Sequence, residues 1–184
     1  MTVRFLFFDD FETLDIFGPI EILAHVEGAE LRFVSLQGGL IKSRQGYAVR
    51  TDCADLVELG GVIVVPGGKG TRSLVNDPCF LASIKSLCEG ADYVLSICTG
   101  SALLAKAGLL DGRRATSNKK AFDWVTSQST AVRWVRDVRW VVDGKYYTSE
   151  GVSAGMDMAL GFVSDLFGSE KAQQIADDIE YSWK

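Results

Sequence analysis

Short runs of consecutive apolar residues alternate along this chain with longer segments whose apolar positions recur at helical spacing. Val3–Phe8 is a short, mostly apolar run that stops at two acids, and it predicts a buried strand. Gly18-Pro19 then opens a helical stretch over Ile20–Val26, with proline at the first turn, where its missing N–H costs nothing. Leu31–Leu36 predicts a second strand, and Ile41–Thr51, interrupted by Gly46, a small β-ribbon. Val62–Val65 is four β-branched residues running straight into Pro66-Gly67-Gly68, the clearest buried strand. Asp77-Pro78 reads as an N-cap followed by an N1 proline, starting a helix through Leu87. Tyr93–Ile97 is another buried strand, followed by a helix over Ser101–Ala107 that stops at Gly108. Trp134–Val142 and Lys145–Thr148 flank Asp143-Gly144 and predict a hairpin. Helices over Ala154–Phe167 and Glu170–Tyr181 close the pattern.

Helices alternating with largely apolar strands predict an α/β domain with a mostly parallel sheet covered by helices on both faces. Ligands in such sheets sit at the carboxyl ends of the strands, which directs attention to the loops after Phe8, Val65 and Ile97. With no linker, repeat or low-complexity tract, residues 1–184 read as one domain, long enough to bury a core.

Composition narrows the function classes. Hydrophobic residues make up 47% and charged residues 23%, which is globular usage. The net charge of −5 leaves no basic excess for a phosphate backbone, so no nucleic-acid partner is expected. No apolar run approaches a membrane span, and the N-terminus lacks the form of a secretory leader. Cys53, Cys79, Cys88 and Cys98 have no zinc spacing, and neither a metal nor another cofactor is expected. Reduced thiols and a cytoplasmic location are the expectation. The single histidine, His25, allows at most one histidine-dependent catalytic group.

Ser96-Ile97-Cys98-Thr99-Gly100-Ser101 lies between a buried strand and a helix. Its small-x-nucleophile-x-small form is that of a nucleophile elbow, with cysteine as the nucleophile. A sulfur at a helix N-terminus is expected to have a lowered pKa, and the Thr99 N–H is a candidate oxyanion donor. The same residue type in the same place is also what a small buried hydrophobe looks like. Cys88 shares a helical face with Leu81 and Ile84, which predicts a core position; Cys53 and Cys79 have no comparable context.

Asp15, between apolar neighbours in Leu14-Asp15-Ile16-Phe17-Gly18-Pro19, is either a partly desolvated general acid or the cap of the coming helix. Glu12 and Glu21 are competing acids. Pro66-Gly67-Gly68-Lys69-Gly70 lets backbone approach a ligand but lacks the spacing of a phosphate-binding loop. His25, six residues past Pro19 on the same helix, reaches a carboxyl or faces solvent, with a Cys98–His25 dyad as the lesser alternative. Arginines interleaved with Trp134 and Trp140 fit a hairpin strand better than a nucleic-acid surface.

Taken together, LDIFGP, IVVPGG, SICTGSALLAKAGLLDGRRAT and EGVSAGMDMAL resemble the ThiJ/PfpI superfamily, a class I glutamine-amidotransferase-like group, and within it the isocyanide (isonitrile) hydratase subgroup. The blocks extend from Val3 to about Phe167. The resemblance implies a flavodoxin-like three-layer α/β/α sandwich, a homodimer, Cys98 as nucleophile and Asp15 as its acidic partner. It also implies that Thr99, Gly67 and Gly68 place donors near the sulfur. Thr99 stands where the protease and glyoxalase branches commonly carry a histidine. Asn118 stands where hydratases and the related regulator domains often carry one, so the substrate-contacting surface differs there.

The activity so implied is a hydro-lyase reaction, water added to an isocyanide to give an N-formamide through a Cys98 thioimidate. Two alternatives from the same residues are another superfamily activity, amidase/peptidase or glyoxalase/deglycase, and a non-enzymatic redox or stress sensor at Cys98.

Overall fold

The computed structural model describes residues 1–183. Its centre is an eight-stranded sheet made of β1 (Thr2–Leu6), β2 (Glu30–Ser35), β3 (Gly39–Lys42), β4 (Ala48–Cys53), β5 (Val62–Val65), β6 (Tyr93–Ile97), β9 (Trp140–Asp143) and β10 (Tyr146–Ser149), in the order β3-β4-β2-β1-β5-β6-β10-β9. The six inner strands pair in parallel, and only β3 and β9 run antiparallel, at the two edges. This is why Val62–Val65 is uniformly apolar: β5 lies between β1 and β6 and all four of its residues are buried.

Helix α1 (Thr13–Ala24) packs against α6 (Ala154–Phe167), which in turn carries α7 (Ser169–Asp178). A second group contains α2 (Thr71–Leu74), α3 (Pro78–Gly90), α4 (Gly100–Lys106) and α5 (Phe122–Thr126). Right-handed crossovers put the two groups on opposite faces, since the chain moves from β1 one way to β2 and from β5 the other way to β6 and β10. The strand order therefore reverses between β1 and β5, and the crevice beyond their carboxyl ends is where an open α/β sheet places a ligand.

Several elements depart from the sequence pattern. Helix α1 begins at Thr13, and Pro19 lies inside it instead of in its first turn. The missing proline N–H leaves the Asp15 carbonyl without its helical donor, yet the helix continues because its buried face, Ile16, Ile22 and Leu23, is held by tertiary packing. Trp134–Val142 is not one strand. Asp137 has a left-handed φ of 60°, and Arg133–Trp134, β8, pairs with Arg114–Ala115, β7, in a separate two-stranded sheet. The hairpin at Asp143-Gly144 forms as expected, with Tyr146 opposite Asp143 and Gly144 at φ 59°. Asp77 accepts hydrogen bonds from the N–H groups of Cys79 and Phe80, capping α3 as its position ahead of Pro78 suggested. Among the described residues, no helix is long and apolar enough to cross a membrane, and no cluster of ligating side chains could hold a metal.

Candidate active site

Cys98 occupies the turn between β6 and α4 with a left-handed φ of 57°. A non-glycine residue in that region is strained and persists only where its surroundings over-determine it. Here the Cys98 N–H donates to the Ser149 carbonyl at 3.2 Å, while its own carbonyl accepts from Ser117 Oγ at 2.8 Å and Ser101 Oγ at 3.1 Å. The turn also requires a small residue at 100: a Cβ on Gly100 would lie 2.6 Å from the Val65 carbonyl and 2.7 Å from that of Pro66. The elbow geometry read from the Ser-Ile-Cys-Thr-Gly spacing is therefore present, with two serine hydroxyls as additional braces.

Asp15 lies in the first turn of α1 and is fully buried, but it does not cap that helix. Its two carboxylate oxygens accept from elsewhere in the fold: Oδ2 from the Gly67 N–H at 2.9 Å and Oδ1 from the Val152 N–H at 3.0 Å. The same two loops bound the sulfur. A Cβ on Gly67 would lie 2.8 Å from Cys98 Cβ, and one on Gly151, which has φ 134°, would lie 3.0 Å from Cys98 Sγ. Asp15 and Cys98 thus share one enclosure, and each shifts the titration of the other. Burial raises the Asp15 carboxyl from 3.8 to about 7, against the lowering effect of its hydrogen bonds from Gly67, Val152 and Cys98.

The Cys98 thiol is also pushed up, first by burial and then by the Asp15 charge, while the Thr99 N–H and hydroxyl pull the other way. This corrects the expectation of a lowered thiol pKa. Helix α4 is only seven residues long, and the dry site outweighs its N-terminus. The two acids therefore hold at least one proton between them at neutral pH.

The Pro66-Gly67-Gly68 turn works differently from the pattern-based expectation. Its amides are engaged within the protein, Gly67 on Asp15 and Gly68 on Thr99 Oγ1 at 3.1 Å, so they organise the acid and the elbow instead of pointing freely at a ligand. Thr99 Oγ1 also accepts from Thr71 Oγ1 at 3.1 Å. Thr99→Val is expected to leave the Gly68 N–H unpaired and to cost ~1–3 kcal/mol in denaturant unfolding, with Thr99→Ser restoring most of it. Because the Thr99 side chain also lowers the Cys98 pKa, the valine variant should shift the pH profile of Cys98 alkylation upward.

A cavity of about 520 Å³ opens above the sulfur, bordered by Cys98, Thr99, Gly68 and Asn118. Asn118 Oδ1 accepts from the Lys120 and Ala121 N–H groups, which fixes its amide; its Nδ2 lies 3.0 Å from where a Gly151 Cβ would be, beside the sulfur. His25 is exposed at the end of α1, its Nδ1 2.8 Å from the Glu21 carbonyl, and is not part of this cavity. Glu21 is likewise exposed, and Glu12 borders the cavity. Cys88 is in the core, where burial pushes its thiol up to about 12, and Cys53 and Cys79 are exposed. Gly151, Val152, Ser101 and Ser117 are site residues that residue-type reasoning did not single out.

The DJ-1/PfpI family profile matches residues 1–165. The chain is 34% identical to the isonitrile hydratase of Pseudomonas putida over 99% of its length and 79% of that protein. It is also 34% identical to a deglycase of Thermococcus kodakarensis, over 81% of the chain and 89% of the relative. Among solved structures, a ThiJ/PfpI family protein from Pseudomonas syringae superposes with a TM-score of 0.86 at 27% identity, covering all of this chain and 76% of that one. Drosophila melanogaster DJ-1beta shares the fold, with a TM-score of 0.81 at 22% identity over 99% of this chain and 98% of that one. The chain belongs to the DJ-1/PfpI family.

Proposed function

We propose that this protein hydrates a small isocyanide to the corresponding N-formamide, with Cys98 as nucleophile and Asp15 as the proton carrier. The observation that carries this reading is the buried Asp15 carboxyl, held by two backbone N–H groups beside the sulfur and raised to about 7. A carboxyl at that value is poised to give and take protons at neutral pH without a histidine.

An isocyanide carbon must gain a proton and a nucleophile. The Cys98 S–H proton passes to the Asp15 carboxylate as the sulfur bonds to that carbon, and Asp15 then delivers the proton to the same carbon, giving the thioimidate Cys98–S–CH=N–R. Water next adds to the C=N carbon, Asp15 accepting its proton and passing one to nitrogen. Collapse of the resulting tetrahedral centre breaks the C–S bond, forms the formamide carbonyl and returns the hydroxyl proton through Asp15 to the thiolate. The sum is R–NC plus water to R–NH–CHO. Donors on Thr99 hold charge on the sulfur at both ends of the cycle.

The similarity to the P. putida hydratase along nearly the whole chain supports this reading over the deglycase one, as does Thr99 in place of a histidine beside the nucleophile. The test is incubation with a small aryl isocyanide, monitoring formamide. Turnover by the wild type that vanishes in Cys98→Ala is the expected result. Wild type and variant indistinguishable, with methylglyoxal consumed instead, would move the assignment to the deglycase branch.

A further inference from the structure

Beyond the reacting pair, the walls of the Cys98 cavity carry an unusual charge. Arg44, Lys69, Arg72 and Lys120 all border it, against a single acid, Glu12, in a protein whose net charge is −5. Among the described residues none of these four cations is paired with a carboxylate; neighbouring Lys119, by contrast, pairs with Glu150 at 3.2 Å. Basic side chains on an acidic surface ordinarily find acids. Four left unpaired around one cavity leave their counter-charge to be supplied from outside the chain.

Arg72 is the best placed of the four. Its guanidinium carbon stacks 3.5 Å from the centroid of the Trp124 ring, which fixes the planar group against an indole face while leaving its edges free to donate. Desolvation lowers its pKa, and negative charge developing on Cys98 raises it, so it couples electrostatically to the reacting centre. Lys69 follows the Pro66-Gly67-Gly68 turn, and Lys120 lies two residues beyond Asn118, so the cations approach from separate loops.

We propose that this cavity selects substrates bearing a carboxylate, seated on the Arg72 edge with Lys69, Lys120 and Arg44 around it, while the reacting carbon faces Cys98. A planar fork of donors matches a planar carboxylate, and Glu12 on the same wall opposes a second negative charge. The cavity, at about 520 Å³, is of a size for a small molecule held at both ends. The proposal rests on Cys98 being the reactive centre; joined to the hydratase reading, it names the substrate class as carboxylated isocyanides.

The test separates the two ideas. Alkylation of Cys98 by iodoacetate and by iodoacetamide, read by peptide mass spectrometry, compares a carboxylate probe with its neutral amide at the same sulfur. The reference is the rate ratio for N-acetylcysteinamide. At low salt the ratio of iodoacetate to iodoacetamide at Cys98 should exceed the reference at least fivefold. It should fall with added salt and drop toward the reference in Arg72→Gln. A ratio equal to the reference, a ratio indifferent to Arg72→Gln, or no alkylation of Cys98 by either reagent overturns the proposal. In parallel, 4-isocyanobenzoate should be turned over with a lower KM than its methyl ester, and the preference should shrink in Arg72→Gln. A biased alkylation ratio with neither isocyanide consumed keeps the carboxylate seat and removes the hydratase reading. Turnover of both isocyanides without preference, together with an unbiased alkylation ratio, does the reverse.

Discussion

Asp15→Asn is expected to fold and to lose about a thousandfold in kcat, because proton transfer by a positioned carboxyl is worth ~10²–10⁴ and Asp15 is the buried carboxyl enclosed with the sulfur. The asparagine occupies the same volume and keeps one acceptor oxygen for either the Gly67 or the Val152 N–H. Its NH₂ then opposes the other donor, a mismatch costing ~1–3 kcal/mol. In the wild type, kcat/KM is expected to rise with pH and level off above about 7, as the carboxylate that accepts the thiol proton becomes populated. A variant that keeps full rate would reduce Asp15 to a structural brace for the two loops.

The same substitution also has a signature in stability, set by the burial of the carboxyl. The Asp15 pKa is raised in the folded state, from 3.8 to about 7, so between those values the native protein binds a proton that the unfolded chain does not. Native stability from this group is full below pH 4 and is lost as pH rises through about 7. The displacement is worth ~4 kcal/mol. The wild type's stability relative to Asp15→Asn should therefore be greatest near pH 4 and fall by up to that amount by pH 8, measured by denaturant unfolding at several pH values. A difference independent of pH would mean that the carboxyl is not held in a dry site.

How much of this was legible beforehand depended on how local each cause is. Val62–Val65, Tyr93–Ile97 and the Asp143-Gly144 turn are set by neighbouring residues and are readable from them. The elbow was legible because tight strand-to-helix turns demand small residues at fixed offsets, and Ser96 and Gly100 supply them. The start of α1 was not, because a proline rule that holds for isolated helices is overridden when Gly18 and its neighbours dock on α6; a Cβ at Gly18 would meet Met156 at 2.7 Å. That error also displaced Asp15, which belongs to the helix's first turn and not to the segment before it. The donors that make Asp15 an unusual acid come from 52 and 137 residues away, and no local pattern announces them. The stacking of Arg72 on Trp124 is equally non-local. The thiol's raised pKa was missed for a related reason: a motif reports the helix start but not how dry the surrounding fold makes it.

Cys98→Ala and Cys98→Gly are both expected to reduce turnover to background, since each removes the sulfur that bonds to the substrate carbon. Their stabilities should nevertheless differ in an unusual direction. Glycine in place of alanine ordinarily destabilises by ~0.5–1 kcal/mol through its greater unfolded-state freedom. At φ 57°, however, a Cβ carries a left-handed penalty of ~1–2 kcal/mol that glycine escapes. Cys98→Gly should therefore be at least as stable as Cys98→Ala, by thermal or denaturant unfolding. Its bracing by Ser149, Ser101 and Ser117 involves only the backbone of residue 98, so it survives both substitutions. A glycine variant clearly less stable than the alanine one would mean that the elbow is not strained. In either variant Asp15 loses the lowering influence of the neighbouring thiol, so its midpoint should move above about 7. That shift, read from the carboxyl's titration by NMR or infrared spectroscopy, would show that the sulfur and the carboxyl act as one proton-sharing pair and not as two residues that happen to be near each other.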